Sequence, residues 1–304
     1  MKELITWYYQ LQIDHLEQLE YIYYSKLGNR FLYIIPIGKE KNTTFFHLLQ
    51  LLQYSQKQRI LISQENTTTV LYDGIHYYVL ESTVPLHERI DFSDLNIPTI
   101  YSEPYPVAGH LKQRWLAKNQ FHEEQLNLLI DKLPSENRLI FFDLATYYIH
   151  LNEQAYTFIN QIKDANFNVS LCHMRLTPNT YKFEFFAPQI LTLDNKVRCY
   201  CEYMRDELLN DPNRAKIRSF VTYLHQTVHL TQEEWILFYA RLFFPSHFYD
   251  ALHSLRNDEE IDVPLLYSQA LDYSKILYYF PKEIQAITGV FIPIPSWVTE
   301  EAQS

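Results

Sequence analysis

Glycine is the residue that this sequence lacks most clearly. Five glycines occur in 304 residues, at Gly28, Gly38, Gly74, Gly109 and Gly289, whereas glycine makes up about 7% of an average protein. No two of them have the spacing of the loops that bind phosphates and dinucleotides, or of the turn that carries a nucleophilic serine. Dinucleotide-binding fingerprints, Walker loops and a glycine-rich kinase loop are therefore excluded.

Cysteine is also scarce, since only Cys172, Cys199 and Cys201 occur. Three is an odd number and too few for a disulfide framework. Cys199 and Cys201 flank a single residue, so a metal site with Cys172 and His173 is one interpretation, although paired CxxC spacing is missing. Buried thiols are the other interpretation, and overall the sequence predicts no metal site.

Positive charge and long apolar runs are in short supply as well. The chain has 26 lysines and arginines against 36 aspartates and glutamates, a formal net charge of −10, which repels the phosphate backbone and predicts no nucleic-acid partner. No stretch approaches the roughly 18 consecutive apolar residues of a membrane span. The first seven residues lack the apolar core of a signal peptide. We expect no membrane span and synthesis in the cytosol.

The residues that are present predict a β-rich first part. Residues 68–72 and 75–80 are β-favouring runs on either side of Asp73-Gly74, which predicts a tight hairpin because both turn residues tolerate positive φ. Residues 16–37 are interpreted as two strands joined at Gly28-Asn29. Helical spacing appears at residues 4–11, and Asn42-Thr43-Thr44 is predicted to cap a helix with Phe46, Leu49, Leu52 and Tyr54 on one face.

A proline-rich stretch separates this part from a mainly helical one. Pro85, Pro98, Pro104 and Pro106 precede a helical pattern over residues 109–133. Further helices are predicted near residues 140–165, 200–229, 231–245 and 262–280, with strand-like runs at 181–186 and 190–193. The predicted organisation is a small lobe at residues 1–88, a hinge at 89–108 and a helical lobe at 109–304.

Three sequence blocks, in this order and spacing, carry a resemblance to a known family. They are YDGIHYYVL at residues 72–80, YYIHLNEQAY at 147–156, and Asp194 to Arg198 followed by Glu202 and Arg205. They resemble the spore coat kinase-like proteins of endospore-forming bacilli, the CotS/YutH group, which are distant relatives of aminoglycoside and choline phosphotransferases. The resemblance implies an α+β, bilobal, protein-kinase-like fold, with a small antiparallel β lobe and a larger, mainly helical lobe.

Phosphoryl transfer in such a fold requires a lysine for the α- and β-phosphates, a catalytic aspartate, and an asparagine and a second aspartate for Mg²⁺. The strand that ends at Leu80 is followed by Glu81 where the lysine is expected. A carboxylate reverses the sign of the interaction with phosphate. We therefore expect Glu81 either to face solvent or to repel ATP.

The catalytic loop of the phosphotransferases, His-Gly-Asp-x-x-x-x-Asn, has its nearest counterpart at residues 173–180. His173 is retained there as a structural hydrogen-bonding residue, Arg175 replaces the aspartate and Thr180 replaces the asparagine. An arginine does not accept a proton at neutral pH. The metal-binding aspartate aligns with Ile190, which offers no oxygen ligand for Mg²⁺.

Two residues remain as candidates for cofactor or metal binding. Asn179 lies one position before Thr180, so a shifted loop would bring an amide oxygen to the metal, and Asp194 would substitute from the neighbouring strand. The other interpretation of each substitution is that a loop is misaligned. The four substitutions Glu81, Arg175, Thr180 and Ile190 together predict a degenerate, non-catalytic site without cofactor.

The resemblance implies a pseudokinase-like spore coat protein, a structural or interaction component that binds other spore coat proteins. It would be made in the mother-cell cytoplasm and then incorporated into the spore coat. The alternative is an ATP- and Mg-dependent phosphotransferase that acts on a small molecule or a coat component. A third interpretation is a pocket for another ligand, with Arg175 holding an anion.

Overall fold

The computed structural model describes residues 1–38, 57–95, 99–105, 107–162, 167–187 and 190–301 of the chain. The chain divides into two compact units, each made of two stretches: Met1–Ile100 with Ser170–Leu193, and Tyr101–Val169 with Asp194–Ser304. The predicted helix that carries Phe46, Leu49, Leu52 and Tyr54 lies outside the described residues. The predicted boundaries at residues 88 and 108 stay a prediction.

The first unit is built on an antiparallel sheet. Its spatial order is β1-β2-β3-β6-β4, and β5 pairs with β6. The helix α1 precedes it and ends two residues earlier than the helical spacing predicts, since Gln10 adopts a left-handed conformation. The bounds are Lys2–Tyr9 for α1, and Glu17–Leu19, Ile22–Leu27, Arg30–Gly38, Gln58–Ile60, Val70–Tyr72 and Ile75–Ser82 for β1 to β6.

The predicted hairpin at Asp73-Gly74 is confirmed. Tyr72 pairs with Ile75 across the turn, and φ is 54° at Asp73 and 77° at Gly74. Two residues with positive φ give the turn the twist that matches two paired strands. The joint at Gly28-Asn29 is confirmed too, because Leu27 pairs with Arg30 across it; β1 is an additional strand that the sequence analysis did not predict.

Strand alternation gives this sheet two apolar faces. On one face Tyr33, Tyr78 and Leu80 pack with Phe183, which comes from the second stretch of the unit. On the other face Leu32, Ile34, Tyr77 and Val79 pack with Leu4, Ile5 and Tyr9 of α1. The sheet is therefore covered on both faces, and each β6 side chain belongs to one of them.

The second unit is larger and mainly helical, as the periodicity of the sequence predicts. Long helices cover the segments predicted near residues 109–133, 140–165 and 262–280. The α-helices that the structure describes in this unit are α2 Val107–Ile130, α3 Ser135–Gln161, α4 Val197–Asn210, α5 Arg214–Tyr223, α6 Gln232–Phe243, α7 Ser246–Arg256, α8 Val263–Thr288 and α9 Ser296–Glu301. None of the described helices is both long enough and apolar enough to cross a bilayer.

Two local predictions differ from the structure. The predicted hinge contains a strand, β7 (Thr99–Tyr105), and it forms a second sheet in the order β7-β8-β9 with β8 (Phe167–His173) and β9 (Leu191–Asp194). Proline is tolerated in β7 because the strand lies at a sheet edge. Residues Lys182–Phe186, predicted as strand, form a 3-10 helix, since Glu184 accepts the Tyr181 backbone N–H at 2.9 Å and closes a turn.

Candidate functional site

Glu81 lies near the end of β6, opposite Arg59 of β4 and Leu32 of β3. The Arg59 Nε atom is 2.7 Å from Glu81 Oε1, and the Arg30 Nη1 atom is 3.2 Å from each carboxylate oxygen. Strand alternation puts Glu81 on the same sheet face as Tyr77, Val79 and α1, opposite to the face that packs on Phe183. Glu81 is 9% exposed.

The two arginines decide the charge of Glu81. Burial opposes ionisation of this carboxyl, but hydrogen bonds and charges from Arg59 and Arg30 outweigh it and hold its pKa below the usual range. Glu81 therefore does not face solvent, one of the two arrangements expected from the sequence; the other, repulsion of ATP, stays a prediction. Its side chain is one member of an arginine–glutamate–arginine triad.

The lysine of the kinase fold lies on the third strand. Among the described residues of this protein the third strand in chain order is Arg30–Gly38, which contains no lysine, and the strand that carries Glu81 is β6. Neither strand supplies an amino group for phosphate. The assignment of Glu81 to the lysine position stays a prediction.

His173 ends β8 and is buried in the first unit. Its Nδ1 atom accepts the backbone N–H of Arg175 at 3.2 Å, and its Nε2 atom is 3.9 Å from Glu184 Oε2. The first contact is the structural hydrogen bond that the sequence analysis gave to this histidine. Glu184 is a titratable neighbour that the sequence analysis did not single out; burial raises the pKa of its carboxyl.

The rest of the loop is held by hydrogen bonds, some within the loop and some from residues outside it. Thr180 is buried, and its Oγ1 atom accepts the backbone N–H of Thr177 at 3.0 Å. The Asn179 side chain is exposed, and its carbonyl accepts a bond from Arg89. The carbonyl of Ile190 accepts the Met174 N–H at 2.7 Å. The His173 ring is thus bonded to the backbone of Arg175, and the Ile190 carbonyl is bonded to Met174, which lies between them in the sequence.

Asp194, the other candidate ligand, ends β9 and belongs to the second unit. Its Oδ1 atom is 2.5 Å from Arg241 Nη2, and its Oδ2 atom is 3.1 Å from Arg198 Nη1. Oδ1 also accepts the Asn195 backbone N–H at 2.8 Å. Burial opposes ionisation, but Arg241 and Arg198 lower the pKa of this carboxyl, so Asp194 is an ionised member of a buried ion cluster.

Magnesium does not fit the surroundings of Asp194. Mg²⁺ requires oxygen ligands at about 2.0–2.1 Å, and both oxygens of Asp194 already bind guanidinium groups. Arg114 of α2 adds a third positive charge: burial and then repulsion from Arg198 and Arg241 lower its pKa. In the part of the chain that the structure describes, no group of three or more histidine, cysteine, aspartate or glutamate side chains is arranged to hold a metal ion.

The cysteines are buried thiols, which confirms one of the two interpretations of their spacing. Cys172, Cys199 and Cys201 are each 0% exposed and none is in a disulfide. Burial raises the pKa of Cys201 to about 12. A buried thiol whose pKa is raised in this way is protonated, so Cys201 is a poor nucleophile.

The sequence analysis missed the arginines that neutralise the two carboxylates. Arg59 is 22 positions from Glu81, and Arg241 is 47 positions from Asp194. No short motif connects residues so far apart. The one available signal was the i, i+4 spacing of Asp194 and Arg198 at the start of α4.

The comparisons with known proteins agree with this fold, and the family match contains two of the three sequence blocks, at residues 147–156 and 194–205. Residues 101–268, more than half of the chain, match the family described as "Spore coat putative kinase YutH". The chain belongs to this YutH family. The endospore coat-associated protein YutH of Bacillus subtilis (strain 168) is 22% identical over 274 residues, which cover 81% of this chain and 80% of the relative.

A solved structure shows the same fold. The aminoglycoside phosphotransferase from Alicyclobacillus acidocaldarius superposes with a TM-score of 0.59 at 11% sequence identity, covering 96% of this chain and 93% of the other. This likeness confirms the predicted α+β, protein-kinase-like fold with an antiparallel sheet and a larger helical part. The resemblance to the spore coat kinase-like group is confirmed by the family match.

Proposed function

We propose that this member of the YutH family is a non-catalytic, kinase-like component of the spore coat. The observation that carries the proposal is the state of Asp194: both of its oxygens bind arginine guanidinium groups. Phosphoryl transfer needs Mg²⁺ to neutralise the phosphate charge. A carboxylate whose oxygens bind arginines is not available to hold that metal. Arginines that hold this carboxylate give it a structural role.

The remaining substitutions support the same proposal. Arg175 and Thr180 stand where the resemblance expects the catalytic aspartate and the metal-binding asparagine, and Ile190 stands at the second metal position. Loss of a general base alone costs about 10²- to 10⁴-fold in rate. Loss of metal ligands adds to that cost because the phosphate charge is then left uncompensated.

The coat location is proposed from the relative. The Bacillus subtilis protein is named as endospore coat-associated, and we propose that this chain is made in the mother-cell cytoplasm and joins the coat. There its surface would bind other spore coat proteins as a structural or interaction component.

A second candidate function is an ATP- and Mg-dependent phosphotransferase acting on a small molecule or a coat component. The fold shared with the aminoglycoside phosphotransferase favours it. It requires that Asn179 or Asp194 bind Mg²⁺. For Asp194 this means displacing Arg198 and Arg241 from the carboxylate.

A thermal melt with millimolar Mg²⁺-ATP separates the two functions. A ligand present at 100 times its Kd adds about 2.7 kcal/mol of stability, and about 1 kcal/mol shifts Tm by roughly 2–4 °C for 150–250 residues. We expect no shift for the wild-type chain or for Asp194→Asn. A rise of several degrees that EDTA removes would end the non-catalytic proposal and favour the phosphotransferase.

A further inference from the structure

A cavity in the first unit lies at the end of the sheet that carries Glu81. Its volume is about 380 Å³, within the range of about 300–1,000 Å³ that small-molecule sites occupy. Arg30, Arg59 and Glu81 line one part of it, and Tyr9, Leu11 and Leu61 are among the residues that line the rest. One side of the cavity is therefore charged and the other is largely apolar.

The charged side is positive overall. Two arginines face one glutamate whose pKa is held below the usual range, so the triad carries about one net positive charge. The Arg30 and Arg59 side chains are 53% and 62% exposed, whereas that of Glu81 is 11% exposed. Each guanidinium has five N–H donors in a planar fork, and the bonds to Glu81 use Nη1 of Arg30 and Nε of Arg59.

The tyrosine in the wall provides a separate observation. Tyr9 is 8% exposed, and among the described residues its hydroxyl has no hydrogen-bond partner. A buried hydroxyl without a partner costs free energy, so such groups in native proteins call for an explanation. Because less than 1 Å² of this hydroxyl is accessible, a ligand in the cavity would contact the Tyr9 ring rather than its oxygen.

We propose that this cavity binds a small amphipathic anion, in which a carboxylate or phosphate group is joined to an apolar body. The anionic group would bind the outward donors of Arg30 and Arg59, because paired guanidinium groups match the geometry of both oxyanions. The apolar body would lie against Leu11 and Leu61. The site is on the α1 face of the sheet and is independent of the proposed loss of phosphoryl transfer.

Isothermal titration of the full chain at low ionic strength tests the site with four probes. Hexanoate and hexyl phosphate carry both parts of the ligand, acetate lacks the apolar body and 1-hexanol lacks the charge. We expect saturable binding of hexanoate, hexyl phosphate or both, with acetate and 1-hexanol at least about tenfold weaker. The tighter of the two anions identifies the head group. Absence of saturable binding by both would overturn the proposal.

Variants place the binding in the cavity. Arg30→Gln with Arg59→Gln should weaken binding by about tenfold or more. Glu81→Gln keeps both arginines and removes the carboxylate that competes with the ligand for them, so it should tighten binding. This variant tests the site even if the double variant folds poorly. The matched control is Arg218→Gln, an exposed arginine beside the buried Glu283, which should leave binding unchanged. Equal affinities for Glu81→Gln and wild type would contradict the proposal.

Discussion

Arg205 is 2% exposed, and each of its nitrogens has a partner. It is 3.0 Å from Glu202, donates to the Tyr273 hydroxyl at 3.1 Å and also binds Ser246 and the Arg241 carbonyl. The Asp194 cluster follows the same pattern with arginines as the partners. A buried charge is tolerated when charged and polar partners replace its lost hydration, so the buried charges of the second unit compensate one another.

Replacing Asp194 with asparagine should therefore be costly. The change leaves Arg198 and Arg241 buried beside a neutral amide, and breaking a buried pair on one side costs about 3–5 kcal/mol. Urea unfolding at pH 7 measures the change in the free energy of unfolding.

The matched control is Asp272→Asn. Asp272 pairs with Lys275 at 3.0 Å on the surface of α8, and exposed pairs contribute about 0–1 kcal/mol. If both variants lose the same small amount, Asp194 has no special structural role, and the support that it gives to the non-catalytic proposal disappears.

The β5–β6 hairpin and the contact between α2 and α7 each make the free energy of unfolding depend on one residue. The β5–β6 hairpin depends on backbone conformation, because φ at Gly74 is 77° and an added Cβ there would meet no atom within 4 Å. The α2–α7 contact depends on packing, because the His122 ring stacks on Tyr249 with ring centroids 4.3 Å apart. Each leads to a separate prediction.

Gly74→Ala should destabilise the chain by about 1–2 kcal/mol, the cost of placing an L-residue in the left-handed region. Gly74→Asn should cost less, because asparagine visits that region more readily. The free energies of unfolding of the two variants in urea test this ranking. An alanine variant as stable as the asparagine variant would mean that the turn changes its conformation.

His122 should make stability depend on pH between 6.5 and 4. Burial, followed by the nearby charges of Lys118 and Arg256, lowers its pKa from 6.5 to about 4. As pH falls through this window the unfolded chain takes up the proton before the folded one does, so the free energy of unfolding decreases. Asp250 and His253 also act on this ring, and the charge of Asp250 opposes the shift.

His122→Phe keeps an aromatic ring on Tyr249 and removes the proton. The free energy of unfolding of wild type, minus that of His122→Phe, should fall from pH 6.5 to 4 and stay constant above pH 7.5. Parallel pH profiles for the two proteins would show that the ring titrates normally in the folded state.

The whole chain is organised as two units that each draw on separated stretches of sequence. Residues 170–193 belong to the first unit, and Phe183 completes the core cluster with Tyr33 and Tyr78. A single cut in the sequence does not produce this division. Residues 173–180 and the β strands of the first unit therefore belong to one packed body.

We expect the whole chain to be located in the spore coat of the sporulating cell. A fluorescent fusion of the full chain should gather around the forespore and remain with the coat fraction after washing, because the family and the named relative are associated with the coat. The fluorescent protein alone, expressed from the same promoter, is the control. A fusion that stays diffuse and is missing from coat extracts would disprove the coat location.

Features that depend on neighbouring residues were predictable from the sequence alone. The Asp73-Gly74 hairpin, α1 and the long helices followed from turn chemistry and apolar spacing, because both act within a few residues. The family and its kinase-like fold followed from three blocks in order. The absence of glycine-rich loops was a matter of counting and needed no structure.

Only the tertiary structure decided what the site residues contact. The sequence showed that Glu81 and Asp194 are carboxylates, but their partners Arg59 and Arg241 are 22 and 47 positions away. Strand register brings Arg59 to Glu81, and helix packing brings Arg241 to Asp194. The 3-10 helix at Lys182–Phe186 replaced a predicted strand for a related reason: β-favouring aromatic residues were held in a turn by Glu184 and by packing of Phe183. Charge and conformation at these positions depend on contacts between distant residues, which local patterns do not encode.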